Sequence, residues 1–179
     1  MKVILFLCLF LNCLFVFAQE DKWALGVSGI YDFQTNGFGA GLRAYIPLNK
    51  KIAVSPQVHY FLPFNEIHEL YAGVAVQYKL FSFKKFVLYP LAAGYYNRWV
   101  NYANFEPPKA KLDNIGEEVG LGIMKEKGCI RPFAEQRYDI KWKEYIFHIG
   151  VLFSFGDCIG RRHGLCPAYS QLPGKKKEV

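Results

Sequence analysis

"EYIFHIGVLFSF", residues 144–155, alternates with a period of two. Tyr145, Phe147, Ile149, Val151, Phe153 and Phe155 fall on one side, and Ile146, His148, Gly150, Leu152 and Ser154 on the other. Successive side chains of a strand point to opposite faces, so the stretch predicts a strand with one large apolar face and one face of mixed small and polar groups. A strand in a soluble sandwich buries its apolar side and shows polar groups to water. Which side faces inward here depends on the rest of the chain.

The same period recurs upstream. "KWALGVSGIYD" sets Trp23, Leu25, Val27 and Tyr31 against Ala24, Gly26 and Ser28, and "FGAGLRAYIP" sets Phe38, Ala40, Leu42, Ala44 and Ile46 against Gly39, Gly41, Arg43 and Tyr45. "IAVSPQVHYFL" and "LYAGVAVQYKL" repeat the pattern, with Ala53, Ser55, Gln57 and His59 on the small and polar side of one and Tyr71, Gly73, Ala75, Gln77 and Lys79 on that of the other. "NIGEEVGLGIMK" puts Val119, Leu121 and Ile123 opposite Gly116, Glu118, Gly120 and Gly122. "IRPFAEQRYDI" puts Ile130, Ala134 and Tyr138 opposite Arg131, Phe133, Glu135, Arg137 and Asp139. "FVLYPLAAGYYNRW" holds a further strand whose faces are less clear, because Pro90 interrupts an almost wholly apolar sequence. The runs exceed the roughly five or six residues usual in soluble strands and match a tilted strand that crosses a bilayer. Glycine recurs through them and a 3.6 period fits none, which argues against helix.

Export supplies the setting. One charge, Lys2, precedes the uncharged run "VILFLCLFLNCLFVF", and Val16 and Ala18 suit the positions before a cleavage site, so residues 1–18 are expected to be a signal peptide cut before Gln19. The run is short for a spanning helix, and no second one follows, so only strands could place the remaining chain in a membrane. The 22 basic residues exceed the 15 acidic ones. Much of that excess sits in Lys50-Lys51, Lys84-Lys85, Arg161-Arg162 and Lys175–Lys177, expected turns or tail. Export argues against nucleic acid as a partner.

Eight alternating runs predict an all-β, eight-stranded antiparallel up-and-down transmembrane β-barrel over residues 19–156, its apolar side turned to outer-membrane lipid. An eight-stranded barrel is just wide enough for side chains to fill it. The inward glycines and alanines fit that space. Arg43, Lys79, Arg131 and Arg137 would share it with Glu118, Glu135 and Asp139 as a charge network, tolerable only if hydrogen-bonded and paired. Trp23, Tyr31, Tyr60, Tyr78, Trp99 and Trp142 lie near strand ends, where interfacial aromatic girdles are expected. Connections alternate weakly in length: "LNKK", "FSFKK" and "EKGC" read as periplasmic turns, while "FQTNG", "PFNEIHE" and "VNYANFEPPKAKLD" read as outer loops and Lys141–Lys143 as a tight one.

With "FAQ" at 17–19, eight alternating runs and a final "GVLFSF" ending in Phe155, the chain resembles the small outer-membrane barrels of the OmpA and OmpX type. More specifically, it resembles the uncharacterised outer-membrane barrel proteins of the Bacteroidetes type, whose signal peptides often end in Ala-Gln. The resemblance implies a bacterial outer-membrane location and a last strand read by the barrel-assembly machinery. It departs from the family's simple members in the residues that follow Phe155. That tail, 157–179, is too short for a peptidoglycan-binding domain and reads as a flexible periplasmic extension.

Sequence features for chemistry are sparse. His148 and Ser154 share a face but stand about 20 Å apart along a strand, too far for direct activation. His59 has no local serine, and "EIHEL" lacks the second histidine of a zinc-protease helix because Ala72 occupies its position. No catalytic, cofactor or metal site is expected, and the barrel is expected to be a monomer without cofactors. Cys158 and Cys166, separated by flexible glycines, are expected to form a disulfide, with Cys129 a competitor for either and a three-thiol zinc site with His163 the lesser alternative. The leading functional expectation is a non-enzymatic barrel with an envelope-structural or surface-interaction role and a plugged polar lumen. A lipid-modifying barrel enzyme and a soluble lipocalin-like ligand-binding barrel, the latter prompted by "DKWALG", are the alternatives.

Overall fold

The alternating runs fold as strands in a computed structural model, which describes residues 23–62, 68–100 and 112–155. Among these, the strands are β1 (Ala24–Asp32), β2 (Gly37–Pro47), β3 (Ile52–Phe61), β4 (His68–Tyr78), β5 (Phe81–Phe83), β6 (Phe86–Val100), β7 (Asp113–Lys125), β8 (Ile130–Asp139) and β9 (Glu144–Ser154). The signal segment 1–18, the tail 157–179 and most of the two longer connections lie outside the described residues.

Every pairing is antiparallel. β4 pairs with β6, and β1 pairs with β9 from Ala24 opposite Ser154 to Asp32 opposite Ile146, so eight strands close into a ring. Closure leaves no unpaired ladder edge among these eight strands. β5 adds no stave to this ring. It pairs back on β6, Phe81 with Leu88 and Phe83 with Phe86, and prolongs the β4–β6 wall beyond the barrel. The expected "FSFKK" turn is thus a short hairpin, because Phe81, Ser82 and Phe83 continue the ladder before Lys84 and Lys85 reverse it.

Along β9 the opening alternation is resolved. Ile146, His148, Leu152 and Ser154 are buried, while Tyr145, Ile149 and Phe153 are exposed. The greasy face points outward. The same holds on β1, where Ala24, Ser28 and Ile30 are buried while Leu25 and Val27 are exposed, and on β7, where Glu118 and Met124 are buried while Val119, Leu121 and Ile123 are exposed. β6, ambiguous in sequence, turns Val87, Tyr89, Leu91, Ala93, Tyr95 and Asn97 inward.

Glycine on one strand makes room for tyrosine on the next. Tyr89 pairs with Gly122 and Tyr95 with Gly116 across β6 and β7. A Cβ at Gly122 would meet the Tyr89 ring at 2.5 Å, inside any real carbon contact, and one at Gly116 would strike the Tyr95 hydroxyl. The inward rings can therefore cross the interior only over bare backbone.

The interior is layered. At the end carrying the start of β1 and the finish of β9, Ala24, Tyr45, Ala53, Val87, Met124 and Leu152 form an apolar cluster. Charged side chains occupy the middle. At the opposite end, where β1–β2, β3–β4, β6–β7 and β8–β9 connect, carboxylates and aromatic rings gather.

Candidate functional site

Glu135 is the centre of the middle layer. It faces inward from β8 at 1% exposure. Arg43, from β2, reaches it with Nη1 donating to Oε1 at 2.6 Å and Nη2 to Oε2 at 3.0 Å. Arg137, two residues along β8 and on the same face, donates to Oε2 from Nη2 at 2.5 Å and from Nε at 3.0 Å. The Tyr89 hydroxyl donates to Oε1 at 2.8 Å, and Gln77 Nε2 approaches the same oxygen at 3.4 Å.

Arg137 is shared. Its Nη1 donates to Glu118 Oε2 at 2.8 Å, and its Nη2 donates to Gln57 Oε1 at 3.0 Å. Two arginines and two glutamates thus balance one another inside the ring. This is the condition under which buried charge is tolerable, since an isolated ion taken from water costs several kcal/mol. Phe133 lies beneath the Arg43 guanidinium, with its ring centre 4.2 Å from Cζ.

Not every expected member of the network joins it. Asp139 is buried beyond the layer towards the loop end, accepting from the Tyr95 hydroxyl and, at 2.9 Å, from the Trp142 amide. Arg131 is buried towards the turn end, where Nε donates to the Lys125 carbonyl at 3.0 Å and the guanidinium sits 4.7 Å from the Tyr45 ring centre. Lys79 follows the last residue of β4, half-buried, and its amide donates to the Lys51 carbonyl at 2.7 Å. β4 ends one residue before it. Alternation alone extends the strand too far.

The neutral members escape sequence reading. Gln57, Gln77 and Tyr89 carry hydrogen bonds of the network although nothing in their spacing links them to Glu135. His148 turns Nδ1 towards Arg43 Nη2 at 3.5 Å, and its ring lies 4.9 Å from that of His59. His148 is therefore engaged with Arg43 and His59 while Ser154 lies farther along the same face. His68 is hydrogen-bonded to Tyr60 on the outside. His163 and the expected Cys158–Cys166 bridge lie outside the described residues, but Cys129, in the β7–β8 turn, is disulfide-bonded.

The loop end is an open cavity of about 330 Å³, lined in part by Asp32, Glu69, Tyr71, Trp99, Trp142 and Glu144. Glu69 accepts from the Tyr71 hydroxyl and from Asn97 Nδ2, each at 2.9 Å. Trp99 and Trp142 stack with centres 6.0 Å apart. These two rings therefore line the cavity, a correction to their expected place in an outer girdle: Trp99 follows Tyr95 and Asn97 on the inward face of β6. Trp23, Tyr60 and Tyr78 do face outward and are exposed.

A closed up-and-down ring of eight antiparallel strands, apolar outside and ionic inside, defines the architectural class. Its backbone is similar to the N-terminal β-barrel domain of Pseudomonas aeruginosa OprF, at 12% identity and a TM-score of 0.59 over 75% of this chain and 97% of that one. A de novo designed transmembrane β-barrel is also similar, at 13% identity and a TM-score of 0.50 over 74% of this chain and 93% of the design. No protein-family model and no curated protein matches the chain in sequence.

Proposed function

We propose that the chain is a bacterial outer-membrane β-barrel that performs no chemistry, serves the envelope structurally or meets partners at its loop end, and is closed to solutes by its own side chains. The observation that carries this reading is the inverted polarity: Leu42, Val74 and Ile149 look outward while Arg137 and Glu135 are sealed within. A soluble ligand-binding barrel needs the opposite arrangement. In water the outer wall would form an apolar patch far larger than soluble monomers present.

Hydrocarbon suits both wall and backbone. Strands of 9 to 15 residues can cross it, and closure leaves no ladder edge in lipid. Short turns then face the periplasm and the loop end faces outward. The layered interior supports closure to solutes, because the apolar cluster, the Arg–Glu layer and the inward tyrosines succeed one another along the axis.

Two measurements test this. A folded sample should migrate differently on a detergent gel before and after boiling, and planar-bilayer recording should show at most small, rare openings. Unchanged mobility would remove the membrane reading. Large, steady conductance would remove the closed interior.

A further inference from the structure

The two ends of the barrel differ in charge. The connections at the turn end, 48–51, 79–85 and 126–129, hold lysines and a single acid, Glu126. Lys84, Lys85, Lys125 and Lys127 line one cleft of about 380 Å³ there together with Glu126 and Gly128, so four cations share it with one carboxylate, and the Glu126 amide donating to the Lys85 carbonyl at 2.9 Å ties its two turns together.

The β5–β6 hairpin places an aromatic face beside this cleft. Cross-strand partners share a face, so Phe81 and Phe83 lie on the same side as Leu88 and Phe86. That side is the outer one, since Val87 and Tyr89 on β6 are buried inward. Phe81, Phe83 and Phe86 are exposed and continue the apolar wall beyond the ring, with the Lys84 ammonium 5.3 Å from the Phe83 ring centre. Aromatic rings at the edge of an apolar wall with lysine amines just past them match the boundary between acyl chains and phosphates.

We propose that this hairpin and the four-lysine cleft bind the headgroup phosphates of anionic phospholipid in the leaflet at the turn end. The proposal rests on the membrane reading above. Phospholipid is favoured over a protein partner because the phenylalanines extend the lipid-facing wall without a break and the adjoining charge complements phosphate. Juxtamembrane lysines each add to attraction for anionic lipid, and the attraction is screened by salt.

The full chain, folded in micelles doped equally with phosphatidylglycerol and phosphatidylcholine of identical acyl chains, can be examined by native mass spectrometry for retained lipid. Wild type should retain phosphatidylglycerol about tenfold over phosphatidylcholine at low salt and lose that preference near about 0.5 M salt. Substituting Lys84, Lys85, Lys125 and Lys127 together with glutamine should bring the ratio close to one, and substituting them with arginine should preserve it. A folded, heat-modifiable wild type without the preference, or a glutamine variant that keeps it, overturns this proposal alone. Displacement of phosphatidylglycerol by millimolar inorganic phosphate would assign the cleft to free phosphate and overturn it too. A chain that never enters micelles or bilayers overturns the membrane reading and this proposal with it.

Discussion

Arg43 and Glu135 stand 92 residues apart in sequence and 2.6 Å apart inside the ring. Their strands, β2 and β8, are separated by β1 and β9, so the contact spans the interior rather than one ladder. It can form only after the ring has closed. Removing one partner of a buried pair leaves a charge with neither water nor counter-ion, at a cost of about 3–5 kcal/mol. Glu135→Ala should destabilise the folded barrel by that order, measured by urea unfolding in lipid vesicles. The variant Glu135→Ala with Arg43→Met should recover part of the loss. A Glu135→Ala protein as stable as wild type would show that the network contributes nothing.

The outer wall makes a separate prediction. Val74 is half exposed and faces outward from the middle of β4. Arginine there, or at Val151, should cost roughly 2–4 kcal/mol near the membrane midplane. Arginine at Ala75 or Gly150 should fail by crowding instead, with loss of the folded gel band even in detergent. If the barrel tolerates arginine at both Val74 and Val151, the wall does not face lipid.

Two glycines of neighbouring strands should behave oppositely. A Cβ at Gly150 would lie 2.7 Å from the Phe133 ring and press on the Val27 carbonyl, whereas one at Gly29 would meet nothing within 4 Å. Gly150→Ala should lose about 1–3 kcal/mol through overpacking. Gly29→Ala should be neutral or gain up to about 1 kcal/mol by restricting the unfolded chain. Thermal unfolding of the two variants side by side decides the matter, and an unharmed Gly150→Ala would contradict the packing around Phe133.

Cys129 sets the fourth expectation. Its carbonyl accepts from the Ser154 amide at 2.9 Å, which places the turn beside the end of β9. Cys158 and Cys166 both follow Ser154 in sequence and are the other cysteines of the expected mature chain. Peptide mapping of the unreduced mature protein should find the Cys129 peptide joined to one carrying Cys158 or Cys166, in place of a Cys158–Cys166 link. Recovery of the Cys158–Cys166 link with Cys129 free would reverse this.

Much of the architecture is legible in alternation, and the reason is physical. On β1, β7 and β9 the small and polar residues fall mainly on the interior side, with Ile30, Met124, Ile146 and Leu152 the large apolar exceptions, while the outer wall is mostly large and apolar, so hydropathy separates the faces. β6 defeats the same reading because Tyr89 and Tyr95 look apolar in a pattern yet work through hydroxyls at their tips, one on Glu135 and one on Asp139. β5 is only 3 residues long, too short for any period to declare itself. The charged interior was visible as inward arginines and glutamates. Which acid met which base was not, since that depends on how the strands stagger around the ring. The same stagger carries Arg131 towards the turns and Asp139 towards the mouth, out of a layer that their alternation shares with Arg137.

The seam between β1 and β9 also governs the order of events in time. The amides and carbonyls on the free side of β1 have to wait for β9, the last strand among the described residues, where Ala24 pairs with Ser154. Until then the growing sheet has two open borders. Such borders recruit other chains in water and cannot be left bare in hydrocarbon. A copy halted anywhere before β9 is therefore not a smaller barrel but an adhesive sheet, its two borders open to strands of other chains.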